Sequence, residues 1–164
     1  MNVTKLTKSS LGLTTLLLLA PVTAFAGADS GFYLGAGLGD STIKANGFDE
    51  SDTGYKIFGG YNIGFIPLVD FAVEASYVDF GTPEDVTGLN AYGLAGLSFG
   101  PFGVFAKLGT MSWDANNDSG TDPAYGIGAR FALGSVSIRA EYEEFDVDQV
   151  NDFSMTSISA VYTF

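Results

Sequence analysis

The side chains best suited to chemistry in this chain are charged residues spaced two apart. Arg139, Glu141 and Glu143 alternate with Ala140 and Tyr142, so in an extended strand they project from one face, with about 6.6–6.8 Å between successive carboxylates. Paired carboxylates can act as general acid and base. The neighbouring arginine favours a simpler role, since it supplies a countercharge. We therefore interpret the group as structural and expect no catalytic residue in it.

The composition removes several other functions. The chain has no histidine and no cysteine, so it lacks the commonest general base, the commonest nitrogen ligand of metals and any disulfide framework. Seven basic residues stand against nineteen acidic ones, which disfavours nucleic-acid binding and attraction to anionic lipid through bare charge. We expect neither an enzyme nor a cofactor site.

One acidic segment resembles a calcium-binding loop. Asp114, Asn116 and Asp118 place oxygen ligands at positions one, three and five. The pattern then fails, because glycine falls at position seven, as Gly120, and position twelve is Tyr125 instead of glutamate. We expect no dedicated metal site here. A solvated turn is the simpler interpretation, and adventitious contact with Ca²⁺ or Mg²⁺ is the alternative.

The amino-terminal segment has the features of an export signal. Lys5 and Lys8 precede an apolar run over residues 11–20, which is too short to span a bilayer as a helix. Ala24 and Ala26 supply the small residues that signal peptidase requires. We predict a cleaved signal peptide over residues 1–26 and a single mature domain over residues 27–164.

The remaining hydrophobic residues are dispersed at every second position. The chain is 46% hydrophobic and 14% aromatic, yet no later apolar run has the length of a membrane helix. Strands with one apolar and one polar face form a closed barrel, which satisfies every backbone hydrogen bond in lipid. We predict an all-β fold, an eight-stranded antiparallel up-and-down transmembrane barrel. The predicted strands are 32–39, 54–62, 70–79, 89–99, 102–113, 124–133, 135–145 and 153–164.

Charged residues identify the inward face of these strands. They form a predicted lumen network of both signs: Lys56, Glu74, Lys107, Arg130, Arg139, Glu141 and Glu143. Eight strands enclose a space that side chains can fill, and unpaired buried charges are costly, so we predict a packed network of ion pairs. A gated path for protons or ions is the alternative. Glycines on the inward face, as in residues 35–39, are expected to make room for larger side chains from opposite walls.

The predicted connections alternate in length. Those near residues 63–69, 99–101 and 133–135 are short or apolar, whereas 40–53, 80–88, 114–123 and 146–152 are longer and acidic. Outer-membrane barrels place short turns in the periplasm and longer loops outside the cell. We therefore expect four acidic loops at the cell surface.

Several segments in order resemble a known family, the OmpA-like outer-membrane β-barrels, which include small OmpX and opacity-type barrels. The carriers are GYKIFGGYNIG, FAVEASYVDFG, FGVFAKLGTMSWDA, YGIGARF, SIRAEYEEFDV and SISAVYTF. The resemblance implies residence in the outer membrane of a Gram-negative cell, among lipid and lipopolysaccharide, as a monomer. It also implies delivery by the barrel assembly machinery through a last strand that carries Ile158, Ala160, Tyr162 and Phe164. No peptidoglycan-binding domain follows Phe164, so tethering to the cell wall is not implied.

The predicted function is a structural or interaction barrel that displays acidic loops. The alternatives are a narrow pore or gated conduit for small solutes, disfavoured by the strand number, and a soluble periplasmic ligand-binding barrel. The soluble barrel would reverse the pattern and face apolar residues inward.

Overall fold

The computed structural model describes residues 30–45, 48–82, 86–115, 118–147 and 152–164. These ranges contain eight strands: β1 (Gly31–Ala45), β2 (Phe48–Ile66), β3 (Val69–Asp79), β4 (Thr87–Phe99), β5 (Phe102–Ala115), β6 (Asp118–Leu133), β7 (Val136–Phe145) and β8 (Asp152–Thr163). Each strand pairs antiparallel with the next, and β8 pairs with β1 to close the barrel. The predicted fold is confirmed. No helix in the described part of the chain has the length and hydropathy to cross a membrane.

The side chains alternate between an apolar outer face and a mixed inner face. On β3, Val73 is 54% exposed and its neighbour Glu74 is 5% exposed. The glycine-rich β4 follows the same rule, with Ala91, Gly93, Ala95 and Leu97 outward. Large apolar side chains on the outside and charges on the inside exclude the soluble ligand-binding barrel, which requires the reverse.

Three turns at one end of the barrel contain two residues each. The connections predicted near 99–101 and 133–135 are confirmed as short, but the one predicted over 63–69 is too long, because residues 63–66 continue β2. The three turns join Ile66 to Val69, Phe99 to Phe102 and Leu133 to Val136. Gly100 and Gly134 have positive φ angles in two of them, a conformation that glycine adopts at little cost. We call this the turn end, and the opposite end the loop end.

At the loop end the predicted lengths of two connections are wrong. Residues 40–45 and 48–53 continue β1 and β2, and residues 114–115 and 118–123 continue β5 and β6. The polar residues there bond across the strands: Thr53 donates to Asp40 at 2.9 Å, and the hydroxyls of Ser112 and Thr121 lie 3.0 Å apart. Outward polar pairs thus extend the hairpins beyond the apolar band, where polar residues replace apolar ones on the outer face.

These extensions also correct the interpretation of the acidic segment after Trp113 as a solvated turn. Asp114 belongs to β5 and pairs with Ser119, while Asp118 and Gly120 belong to β6. Asn116 lies outside the described residues, as do parts of the predicted loops 80–88 and 146–152.

Glycines on the inner face lie beneath aromatic rings of the adjacent strand. Gly35 pairs with Phe58 and Gly128 pairs with Phe105, and a Cβ at either glycine would overlap the paired ring. The prediction that these glycines make room for larger side chains is confirmed for these pairs. The rings come from the neighbouring strand, however, and not from the opposite wall.

Candidate functional site in the barrel lumen

The lumen is filled in layers along the barrel axis. From the turn end, the inward residues of β3 are Asp70, Ala72, Glu74, Ser76 and Val78. The lumen accordingly contains four successive layers. From the turn end to the loop end, these are a polar pair, an aromatic layer, a charged layer and an apolar layer.

The charged layer, which we call the ion cluster, consists of Lys56, Glu74, Lys107, Arg139, Glu141 and Glu143. All six residues are at most 5% exposed. Their positions on β2, β3, β5 and β7 follow from the alternation, because each lies between two outward residues. Three cations and three carboxylates make the cluster formally neutral.

Each carboxylate of the ion cluster contacts at least two cations. Both terminal nitrogens of Arg139 donate hydrogen bonds to Glu74, at 2.7 and 3.0 Å, and one of them also donates to Glu141 at 2.5 Å. Lys107 lies 2.7 Å from both Glu141 and Glu143 and 3.8 Å from Glu74. Lys56 pairs with Glu141 and, at 2.8 Å, with Glu143. Such mutual pairing is what makes burial of six charges tolerable.

Aromatic rings enclose the cations. The guanidinium carbon of Arg139 lies 4.6 Å from the ring centroids of both Phe58 and Phe105, and Lys107 Nζ lies 4.5 Å from that of Tyr92. Tyr33 also donates a 2.8 Å hydrogen bond to Glu74. Rings and a phenol thus surround much of the cluster among the described residues.

Arg130 does not join the ion cluster, although it lies on the inward face as predicted. Its side chain turns toward the turn end, where it bonds Asp70 at 2.8 Å and Ser98 at 2.6 Å, and it is 32% exposed. Ser98 also bonds Asp70. The predicted set of seven thus divides into a cluster of six and a separate ion pair. Asp70, which the predicted set omitted, is the partner.

An apolar layer at the loop end was not predicted. This apolar plug consists of Val78, Phe80, Tyr92, Met111, Ala124, Phe145, Phe153 and Met155. The ring centroids of Phe80, Phe145 and Phe153 lie 4.6–5.4 Å apart, and Phe80, Met111 and Met155 have no exposed surface. Part of this layer could have been predicted from the sequence, because Phe145 continues the two-residue spacing of Glu141 and Glu143.

The lumen offers no evident centre for metal chemistry. Within the residues that the structure describes, no three acidic side chains are arranged to hold a metal ion. The carboxylates of the ion cluster are instead paired with lysine and arginine. Their arrangement fixes strands to one another across the lumen.

An apolar exterior, a filled polar lumen and closed strand pairing define a transmembrane β-barrel. Residues 12–164 match the outer membrane protein beta-barrel domain family, and the chain belongs to that family. It is therefore a protein of the cell outer membrane. No curated protein matches the chain in sequence.

Solved structures share the fold at low sequence identity. Neisserial surface protein A is 20% identical with a TM-score of 0.55, over 83% of this chain and 99% of that one. Yersinia pestis Ail, in complex with the heparin analogue sucrose octasulfate, is 17% identical with a TM-score of 0.57, over 83% and 99% of the chains. The amino-terminal barrel of Pseudomonas aeruginosa OprF is 11% identical with a TM-score of 0.60, over 82% and 98%.

Outer-membrane barrels place short turns in the periplasm and longer loops outside the cell, so we expect the turn end to face the periplasm and the loop end to face outward. In that orientation the apolar plug lies on the outer side of the ion cluster, and the Asp70–Arg130 pair lies at the periplasmic mouth.

Proposed function

We propose that this protein is a non-conducting membrane anchor that presents an acidic surface to positively charged partners outside the cell. The observation that carries the proposal is the filled lumen. The apolar plug and the ion cluster occupy successive layers, so an ion would have to cross a desolvating layer and then displace paired charges. The same pairing supports a structural role for the cluster rather than a catalytic one.

The outer end carries most of the acidic residues. Segments 40–52, 79–85, 114–122 and 144–152 contain four, three, three and four of the nineteen acids, and Lys44 is their single basic residue. Several of these carboxylates, including Asp40, Asp114 and Asp146, are exposed. A surface of one sign attracts oppositely charged partners and accelerates their association. Basic polypeptides are the partner class that this charge favours.

The sign of the charge argues against a ligand like that of Ail. The Ail structure contains sucrose octasulfate, a heparin analogue, which is a polyanion. Fourteen carboxylates against one lysine in the outer segments would repel such a molecule. This protein shares the fold of Ail, but we propose that its outer surface binds positively charged partners and not polyanions.

On the last strand, β8, Ile158 and Ala160 face outward. Phe164, directly after the strand, is exposed, and its backbone nitrogen donates to Phe32 of β1 at 2.9 Å. We propose that this strand and its terminal aromatic are recognised by the barrel assembly machinery. We also propose a monomer among lipid and lipopolysaccharide, and removal of residues 1–26 on export.

A binding experiment tests the acidic surface. We expect a lysine-rich decapeptide to bind the protein in vesicles and a glutamate-rich decapeptide not to bind. Asp114→Asn combined with Asp146→Asn should weaken binding several-fold and reduce its salt dependence. A matched control, Ser51→Asn with Thr121→Asn, adds two amides without changing charge and should bind as wild type. Equal affinity for both peptides would contradict the proposal.

The competing function is a narrow conduit, which the charged lumen could favour if its layers opened. Recording from single molecules in a planar lipid bilayer separates the two. We expect no discrete current steps from the folded protein. Reproducible steps of one conductance would reject the non-conducting anchor and leave the barrel fold intact.

A further inference from the structure

A small cavity lies in the lumen between the ion cluster and the periplasmic mouth. It has a volume of about 50 Å³, and its wall includes Ser98, Arg130, Ser137, Arg139 and Thr163. A single water needs roughly 10–15 Å³ when volume is measured in this way. The cavity therefore has room for a solute of about three or four non-hydrogen atoms.

Two arginines line this cavity. Arg130 on β6 and Arg139 on β7 are directly paired in the sheet, and both project inward. Like charges directly opposite each other on neighbouring strands repel. The two side chains diverge, Arg130 toward Asp70 and Arg139 toward Glu74 and Glu141, and both line the cavity.

One buried donor of this pair lacks an acceptor. Arg139 is 5% exposed, and its terminal nitrogens bond Glu74 and Glu141, while its Nε has no hydrogen-bond partner among the described residues. A buried N–H without an acceptor is unfavourable, and guanidinium groups prefer planar oxyanions. Asp70 also lines the cavity, and its carboxylate is paired with Arg130 at 2.8 Å.

We propose that this cavity binds a small planar oxyanion of nitrate or formate size that enters from the periplasm. The anion lies between the two arginines, accepts a hydrogen bond from Arg139 Nε and reduces the repulsion between the guanidinium groups. Hydroxyl groups of Ser137 and Thr163 on the wall are available as further donors. The site is distinct from the acidic outer end, so the test of this proposal is independent of the proposed surface function.

Arginine side-chain nuclear magnetic resonance tests the proposal directly. Arg130 and Arg139 are the only arginines in the sequence, so the Nε–H region of a ¹⁵N-labelled sample holds two signals, which Arg130→Lys assigns. Sodium nitrate is titrated against the folded protein in lipid nanodiscs, with sodium sulfate keeping the ionic strength constant. We expect saturable shifts of the Arg139 signal, and of the Arg130 signal where it is observed.

A variant of the cavity wall provides the matched comparison. Ser137→Val removes a hydroxyl donor and narrows the cavity without replacing a member of either ion pair, and it should weaken the apparent nitrate affinity at least tenfold. Thr110→Val, on the outer face of the barrel, makes the same kind of change elsewhere and should bind as wild type. Shifts that grow linearly without saturation, or an unchanged response in Ser137→Val, would show an adventitious ion only and overturn the proposal. A folded protein without any shift would overturn it too.

Discussion

Replacement of Arg139 by methionine should destabilise the barrel strongly, because it leaves the ion cluster with one negative charge too many. Glu74 would lose a bidentate partner at 2.7 and 3.0 Å and retain Lys107 at 3.8 Å. Removing one member of a buried pair typically costs about 3–5 kcal/mol. The lost contacts with the rings of Phe58 and Phe105 add roughly 0.5–2 kcal/mol.

The matched control is the same substitution at Arg130. That side chain is 32% exposed and pairs with a carboxylate that is 23% exposed, so Arg130→Met should cost only about 0–1 kcal/mol. The assay is urea unfolding in phospholipid vesicles, followed by the fluorescence of Trp113 and by the gel mobility of the folded form.

A second change tests whether the charge is the cause. Glu74→Gln in the Arg139→Met background restores neutrality, so the double variant should be more stable than the sum of the single losses by about 1–3 kcal/mol. Additive losses, or equal costs for Arg139→Met and Arg130→Met, would refute the account of a coupled neutral cluster.

Three further outcomes are expected. Gly35→Ala should lower stability because its Cβ would overlap the ring of Phe58, and Phe58→Leu in the same protein should restore part of the loss in urea unfolding. Deletion of Phe164 should reduce the folded, heat-modifiable form in outer-membrane fractions without blocking export, and wild-type levels would argue against an assembly signal. Intact-mass measurement on the same fractions should find Gly27 at the amino terminus, and retention of Met1 would show that no cleavage occurs.

Much of the barrel could be predicted because the outer face of each strand meets lipid, whereas the inner face lines a lumen that contains charged side chains. Lys107 and Glu74 each identify the inward face of a strand, and the period of two then assigns every neighbour. Turns at Gly100 and Gly134 were equally accessible, since glycine marks positive φ. Burial of charge and exposure of apolar residues thus provided the strongest signals.

The extended hairpins could not be predicted from this contrast. Beyond the apolar band the outer face of a strand meets water instead of lipid, so Asp40, Thr53, Ser112 and Thr121 do not show the apolar outward residues by which the strands were recognised. Their strand structure depends on cross-strand hydrogen bonds, which residue types alone do not reveal.

The ion-pair partners of the inward arginines also could not be predicted from the sequence. Arg130 and Arg139 have the same inward orientation and directly opposite positions, yet one bonds Asp70 and the other Glu74. That choice depends on the direction of each long side chain along the barrel axis, which the alternation does not specify. The apolar plug was missed because inward Phe80 and Phe153 lie at strand ends, where facing is hard to assign.

The division of the strands between lipid and a charged lumen is the central claim, and a pair of arginine substitutions tests it most directly. Ala106 is exposed near the middle of β5, and Ser112 lies on the same face toward the outer end. Unfolding free energies measured in phospholipid vesicles should fall by roughly 2–4 kcal/mol for Ala106→Arg and by about 0–1 kcal/mol for Ser112→Arg, because the cost of an outward charge depends on its depth in the bilayer. Equal tolerance of arginine at both positions would contradict the assignment of this face to lipid.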